Sequence, residues 1–201
     1  MIQISVAAEI DNAIRQLQTI SEAQQFRFAV AKALTNTAVE VQKEVRKNMP
    51  SRFTLRRPWV VNGILVERAT KDSLTATVYS RDKFMGLQEV GGPKSPLRQY
   101  LALPTSMVRR TKTDMITKAD RPKNLGDKAE VIEYEGRKWL ALKRPRKGAN
   151  NQRLRLLYLL VPRAQLQKRL GLGEDAQKVA KLRFSQNLKD AMEFAMRTAR
   201  R

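Results

Sequence analysis

Residues 26–48 read FRFAVAKALTNTAVEVQKEVRKN, and their apolar side chains recur at steps of three and four residues. This spacing predicts one long helix with a single buried face. The members of that face are Phe26, Val30, Ala33 with Leu34, Thr37, Val41 and Val45. Three cations, Lys43, Arg46 and Lys47, lie in the last turns, where the helix dipole favours positive charge. Pro50 then marks the predicted end of the helix.

On either side of this helix the chain changes its periodicity. Residues 2–6 alternate apolar and polar side chains, which suits a short strand, and residues 7–20 have the apolar stripe of another helix. Residues 51–63 break the helical period and are expected to be extended. The runs 64–68 and 74–79 then predict two strands, the second of them rich in β-branched residues.

The middle of the chain alternates short apolar runs with polar segments. Residues 100–104 form an apolar run ended by proline, and residues 105–128 contain few large apolar side chains. The second stretch predicts a long flexible basic loop. The runs 131–134 and 138–142 flank Glu135-Gly136-Arg137, a short connection with glycine that indicates a β-hairpin.

Three segments complete the predicted domain. Residues 143–153 form a basic turn, residues 154–161 a buried strand, and residues 174–200 a helix with acids at its start and arginines at its end. The order of helices, strands and a final helix predicts a single α+β domain over residues 1–201. Its long N-terminal and C-terminal helices would pack on a mostly antiparallel β-sheet.

Charge is the most unusual property of the composition. The 201 residues include 40 Lys and Arg against 19 Asp and Glu, a net charge of +21. Residues 94–163 hold 18 of the basic and 6 of the acidic side chains, a net charge of +12. A basic middle, in contrast to a basic tail, indicates one face or one long loop of a folded body. Such an excess implies a polyanionic or acidic partner.

Several function classes are disfavoured by the residues that the chain lacks. There is no His and no Cys, which removes the commonest general base, the thiol nucleophile and the usual transition-metal ligands. Gly86, Gly91 and Gly92 match neither a Walker loop nor a dinucleotide fingerprint. Glu133 and Glu135 could share one face of a strand and hold Mg²⁺, but solvated partners for nearby cations are the favoured interpretation. We therefore expect no enzymatic activity, no cofactor and no metal.

Targeting signals give a similar expectation. The N-terminus lacks a basic region followed by a long apolar run, and the longest apolar run, residues 156–161, is far shorter than a membrane span. The sequence predicts a soluble protein made in a cytoplasm, without membrane contact.

Clusters of cations are the candidate binding residues. They could neutralise DNA phosphates, contact acidic surfaces of other subunits, or serve solubility alone. Phe53 and Trp59 lie among the first cluster and could stack on bases, although core or interface anchors are the favoured interpretation. No RNP motif, KH loop or zinc finger supports sequence-specific recognition. The candidate partner-facing cations are Arg52, Arg56, Arg57, Arg109, Arg110, Lys112, Lys143, Arg144, Arg146, Lys147, Arg153 and Arg155.

The order of these landmarks resembles the minor tail protein Z and tail-completion proteins of long-tailed bacteriophages and prophages. The resemblance covers roughly residues 22–200. It rests on the long helix that ends in Pro50, Arg52-Phe53-Thr54-Leu55-Arg56 with Trp59, Gly63-Ile64, Glu89-Val90-Gly91-Gly92, Leu101-Ala102-Leu103-Pro104-Thr105, Leu157-Tyr158-Leu159-Leu160-Val161-Pro162 and Phe184-Ser185-Gln186-Asn187-Leu188.

The resemblance implies a non-enzymatic virion protein of the tail or neck, assembled in the cytoplasm of a bacterial host. Copies would form a homo-oligomeric ring where the tail joins the head, against the tail terminator or tube and the head–tail connector. The basic segments 94–128 and 143–155 exceed what such a core requires, so contact with genomic DNA or a neighbouring ring is also expected. The alternative hypothesis is a sequence-independent nucleic-acid-binding protein, and a carboxylate-metal nuclease ranks last.

Overall fold

The computed structural model describes residues 2–5, 20–144 and 153–199. The chain divides into two compact units. The helical unit comprises Met1–Val90 and Lys168–Arg201, and the basic unit comprises Gly91–Gln167. The predicted α+β class, with a long N-terminal helix, a C-terminal helix and antiparallel sheets, is confirmed.

Two long helices form the body of the helical unit. Helix α1 spans Ile20–Arg52, and helix α5 spans Leu172–Ala199. The N-terminal part of α1 packs on the C-terminal part of α5 through the small side chains of Ala29, Ala33, Ala191 and Ala195, so the helices run antiparallel. Small side chains let two helix backbones approach closely, and this explains why alanine recurs at the contact.

The predicted buried face of α1 is confirmed for its aliphatic members. Val30, Leu34, Val41 and Val45 have no exposed surface. Helix α1 ends slightly later than expected, because Pro50 lies inside its last turn. The Phe53 N–H donates to the Met49 carbonyl at 2.9 Å, so the helical bonding continues past the proline.

A small antiparallel sheet covers α1. It contains β1 (Ile2–Ser5), β3 (Thr75–Ser80) and β2 (Ile64–Glu67) in that order. The prediction of an extended 51–63 segment is wrong in part, since Trp59–Asn62 forms the short helix α2. Pro58 at its N-terminal end has φ −74°, which is already helical, and the Gly63 N–H closes the turn. A further short helix, α3, spans Phe84–Val90.

The main sheet of the basic unit has four antiparallel strands in the order β5-β8-β7-β6. The strands are β5 (Leu101–Pro104), β6 (Ala129–Tyr134), β7 (Arg137–Arg144) and β8 (Arg153–Val161). Strands β4 (Gly92–Lys94) and β9 (Ala164–Leu166) form a separate antiparallel pair. The predicted hairpin is confirmed, and its turn is tight because Glu135 and Gly136 both have positive φ, 53° and 68°.

A β-bulge determines which side chains of β8 form the core of the basic unit. The register between β7 and β8 shifts at Leu140/Ala141, which leaves Leu157 as an extra residue beside Tyr158. Two neighbouring residues at such a bulge can enter the same face of a sheet. Both are buried here, in a cluster with Val108 and Leu125.

Residues 105–128 have more anchors than their composition indicates. The segment contains turns of 3₁₀-helix at Lys118–Asp120 and Gly126–Lys128 and the short helix α4 at Pro122–Leu125. Val108 and Leu125 are buried, and so is the carboxylate of Asp120. Polar bonding thus adds to two apolar contacts in holding this segment.

Two predicted elements lie outside the described residues: most of the 7–20 helix and the centre of the 143–153 turn, including Arg146 and Lys147. Among the helices of the described residues, none is long and apolar enough to cross a membrane.

Candidate functional site

The basic excess predicted from the sequence coincides with one folded unit. Residues 91–167 carry 18 basic and 6 acidic side chains, a net charge of +12. Because this unit has its own buried cluster, its charge lies on a folded body. Its exposed cations in the described residues include Lys94, Arg98, Lys112, Lys118, Lys123, Lys128, Arg137, Lys138 and Arg163. All of these except Lys112 were absent from the candidate list, because most of them are spread along the sequence and not clustered.

Arg109 is held by a buried carboxylate. Asp120 is 1% exposed, and it accepts hydrogen bonds from the Arg109 backbone N–H at 2.8 Å and from Nη2 at 2.7 Å. The Nε–H of Arg109 lies 3.1 Å from the same carboxylate. These bonds from Arg109 lower the pKa of Asp120 to about 2. The guanidinium is half exposed, so one side of it still reaches solvent.

Arg155 and Tyr158 complete this network. Nη2 of Arg155 donates to the Met107 carbonyl at 2.5 Å and lies 3.6 Å from the Asp120 carboxylate. The hydroxyl of Tyr158 donates to the Asp120 carbonyl at 2.6 Å. Arg155 therefore links strand β8 to the 105–128 segment.

Arg110 and Lys112 lie in a small loop closed by the bridge between Arg110 and Ile116. Arg110 donates to the Asp114 carbonyl at 3.1 Å and pairs with its carboxylate at 3.4 Å. Lys112 is exposed in the same loop. Of these two candidates, Lys112 presents the more accessible charge.

Arg52, in the helical unit, also pairs within the chain. Its Nη1 and Nη2 donate to the two carboxylate oxygens of Asp175 at 2.6 and 2.8 Å, and Nη1 reaches the Leu170 carbonyl as well. Asn48 donates to the same carboxylate at 3.1 Å. This bidentate pair joins the end of α1 to the start of α5. Beside it, Glu89 accepts hydrogen bonds from the Leu172 and Gly173 N–H groups and caps α5.

The two candidate aromatic anchors have different surroundings. Phe53 is partly buried against the apolar cluster of the helical unit. Trp59 is 44% exposed and meets Phe84, itself 50% exposed, edge to face at 5.9 Å between ring centroids. Arg56 and Arg57 are exposed nearby in sequence. Trp59 and Phe84 thus form an exposed aromatic pair in this region.

The remaining candidates lie at the far end of strands β7 and β8. Arg144 pairs with Arg153, and Lys143 with Leu154, in the backbone register. This register brings three predicted cations to one end of the sheet. Arg146 and Lys147 follow outside the described residues.

A basic pocket in the helical unit was not predicted from the sequence. Lys32, Arg68 and Lys71 line a surface pocket of about 290 Å³ together with Phe28 and other side chains of α1 and of the β2–β3 connection. Nζ of Lys32 lies 3.1 Å from the centroid of the Phe194 ring. No local pattern signals this pocket, because the three cations are separated by up to 39 positions and meet only in the fold.

In the part of the chain that the structure describes, no three acidic side chains lie close enough together to hold a metal ion. Glu135 lies in the hairpin turn, beyond the last residue of β6. Its carboxylate hydrogen-bonds to the Tyr134 hydroxyl and thereby raises the pKa of Tyr134. The arrangement offers cationic and aromatic surface for binding.

Comparison with known proteins adds a family. No curated protein and no solved structure matches the chain. A model of the DUF6441 family, described as a family of unknown function, matches residues 1–155, which include all of α1, the small sheet and most of the basic unit. The chain belongs to the DUF6441 family.

Proposed function

We propose that this chain is a non-enzymatic structural protein of a bacteriophage tail or head–tail joint. Copies assemble into a ring against the tail terminator or tube and the head–tail connector, in the cytoplasm of a bacterial host. The basic unit lies toward genomic DNA or toward acidic surfaces of neighbouring subunits. This function is a proposal from the resemblance and the charge distribution together.

The observation that carries the proposal is the structural importance of the landmarks on which the resemblance rests. Glu89 caps helix α5, and Leu157 with Tyr158 forms the core of the basic unit. Phe184 and Leu188 pack against both apolar clusters of the helical unit. Residues with such roles specify a fold, so a shared order of them supports a shared architecture.

The charge of the basic unit supports a position beside a polyanion. A net charge of +12 on 77 residues repels other copies unless an acidic surface or DNA neutralises it. A ring subunit also needs heterologous contacts, with different surfaces meeting between neighbours. The exposed Trp59–Phe84 pair supplies one apolar surface for such a contact.

Deletion of the gene from the phage or prophage that carries it tests the proposal. We expect electron microscopy of the lysate to show full heads beside unattached tails. A plasmid copy of the wild-type gene should restore joined particles. Intact particles without the gene would overturn the proposal.

A sequence-independent nucleic-acid-binding protein is the second candidate, and the exposed cations of the basic unit favour it. Binding to a 20-base-pair duplex would be measured by fluorescence anisotropy over a salt series. Replacement of Lys118, Lys123 and Lys128 by Ser should reduce the slope of log K against log salt by about 2 to 3. The matched control replaces three exposed lysines of the helical unit, Lys178, Lys181 and Lys189, and should leave the slope unchanged. Equal effects of both triple variants would contradict a dedicated DNA surface on the basic unit.

A further inference from the structure

The four-stranded sheet of the basic unit has two outer edges, formed by β5 and β6, and they differ in the backbone groups they present. In the described residues no strand pairs with the outer side of either one. An unpaired edge is a template for a further strand, and natural proteins commonly blunt the edges that must stay empty. The phase of the hydrogen bonds shows which edge is blunted.

On β5 the phase is fixed by the Thr105 N–H, which donates to the Leu157 carbonyl across the sheet at 2.9 Å. Bonded and non-bonded pairs alternate along an antiparallel ladder, so Leu103 also points its backbone groups inward. Ala102 and Pro104 therefore point outward. Pro104 has no N–H, which leaves one outward donor on this four-residue strand.

On β6 the phase is fixed by the hairpin turn. Tyr134 and Arg137 flank the two-residue turn, and residues in that position exchange hydrogen bonds with each other. By alternation, the backbone groups of Ala129, Val131 and Glu133 point outward. The Ala129 N–H donates to the Gly126 carbonyl, whereas within the described residues no hydrogen bond reaches the outward N–H groups of Val131 and Glu133. Edge β6 thus presents two unpaired donors where β5 presents one.

The charge of β6 is opposite to that of its unit. Residues 127–135 contain four of the six acidic residues of the basic unit, Asp127, Glu130, Glu133 and Glu135, and one lysine. Apolar surface accompanies the acids, since Val131 is 60% and Tyr134 52% exposed. An acidic, partly apolar edge attracts an extended segment with basic and apolar side chains.

We propose that β6 is a docking edge at which an extended basic segment of another protein adds a fifth strand to this sheet. The added strand bonds to the outward backbone groups of Val131 and Glu133, and its Lys or Arg side chains lie beside Glu133. A second copy is a poor occupant, because its own β6 would bring acid against acid and its β5 is blunted by Pro104. The proposal depends on this edge alone and goes beyond the function proposed above.

Amide exchange measured by NMR on the full chain tests the proposal residue by residue. The probe is a seven-residue peptide of alternating Lys and Val, compared with one of alternating Glu and Val. In the free protein the Ile132 amide should exchange slowly, and the Val131 and Glu133 amides quickly. Saturating Lys/Val peptide should slow Val131 and Glu133 by at least tenfold, and the Glu/Val peptide should not. Equal protection by both peptides, or none, would overturn the proposal.

Two proline substitutions separate the edges. Val131→Pro removes an outward N–H of β6, and we expect the Kd of the Lys/Val peptide, measured by fluorescence anisotropy, to rise at least tenfold. Ala102→Pro is the matched control, since it removes the outward N–H of β5, and the Kd should not change. The opposite pattern would assign the site to β5 and contradict the proposal.

Two further measurements keep the test decisive. Where circular dichroism shows that Val131→Pro unfolds the sheet, Glu133→Lys retains the backbone donors, should weaken the Lys/Val peptide tenfold and should favour the Glu/Val peptide. An unchanged preference would overturn the role of charge. Protection of Val131 that rises with protein concentration, in the absence of peptide, would assign the edge to a second copy and overturn the proposed partner.

Discussion

The helical unit and the basic unit each contain a nearly buried aspartate beside an arginine, but in very different surroundings. Asp175 in the helical unit lies next to a cluster of fourteen buried apolar residues, most of them from α1, the small sheet and α5. Asp120 in the basic unit lies beside a cluster of four. The same pair of residue types therefore lies beside a large apolar core in the helical unit. In the basic unit, where the apolar core is small, the pair supplies part of the stabilising contacts.

This difference explains how a highly charged unit can hold a long irregular segment. Asp120 binds Arg109 and lies near Arg155, and its backbone carbonyl accepts from Tyr158. Hydrogen bonds to a buried charge contribute more than neutral ones, so one carboxylate can order several parts of the chain. Each unit also has one of the two tryptophans, Trp59 or Trp139, which allows each to be followed separately by fluorescence.

The largest effect is expected for Asp120→Asn. The change leaves Arg109 and the partly buried Arg155 without their carboxylate, and we expect a loss of about 3–5 kcal/mol in the free energy of unfolding. This loss is measured by urea titration in the Trp59→Phe background, in which the fluorescence of Trp139 reports unfolding of the basic unit. Asp114→Asn is the matched control, because that side chain is half exposed, and it should cost less than about 1 kcal/mol. Equal losses would contradict the central position of Asp120.

A slightly smaller effect is expected for Leu34→Ala in the helical unit. Leu34 has no exposed surface, and its truncation should cost about 3 kcal/mol through lost burial and a cavity. The Trp139→Phe background, with Trp59 as reporter, gives the measurement. Leu182→Ala on α5 is the control, since Leu182 is largely exposed and its truncation should change stability little. A cost at Leu34 no greater than at Leu182 would show that the helical unit does not depend on apolar burial.

Acid should weaken the basic unit through the same carboxylate. Arg109 lowers the pKa of Asp120 from 3.8 in the unfolded chain to about 2 in the folded one. A lowered carboxyl pKa gives a stability contribution that is complete above the unfolded value and disappears as the pH falls through the folded value. We expect about 2 kcal/mol to be lost between pH 5 and about pH 2, with Trp139 as reporter. In Asp120→Asn this loss should be absent, and an identical acid slope in both proteins would contradict the assignment.

Local patterns in the sequence predicted the regular elements well, and long-range partners much less. The face of α1 repeats at helical intervals, so Val30, Leu34 and Val41 could be placed in the core without a structure. The hairpin around Gly136 also has a local signal. In contrast, the short helix α2 was not predicted, because it begins after Pro58 within a stretch that has no helical period.

The binding residues show the limit of such patterns. Arg52 was grouped with Arg56 and Arg57 because they are close in sequence, yet its partner Asp175 is 123 positions away. Arg109 and Arg155 were likewise singled out as charges, and the structure bonds both around Asp120. A count of cations predicts the sign of a partner, whereas the internal pairing of each cation depends on contacts that only the fold brings together.

The smallest effect is expected in the hairpin turn and concerns the backbone. The two non-glycine residues with positive φ in the described chain, Asp114 and Glu135, both lie in the basic unit. Asparagine tolerates the left-handed region better than glutamate, so Glu135→Asn should raise the free energy of unfolding by about 0.5–1 kcal/mol, read from Trp139. Glu135→Gln removes the same charge and keeps the unfavourable conformation, so it should give no such gain. An equal gain in both variants would mean that the turn is stabilised by relief of charge repulsion at the acidic edge of β6, and not by relief of backbone strain.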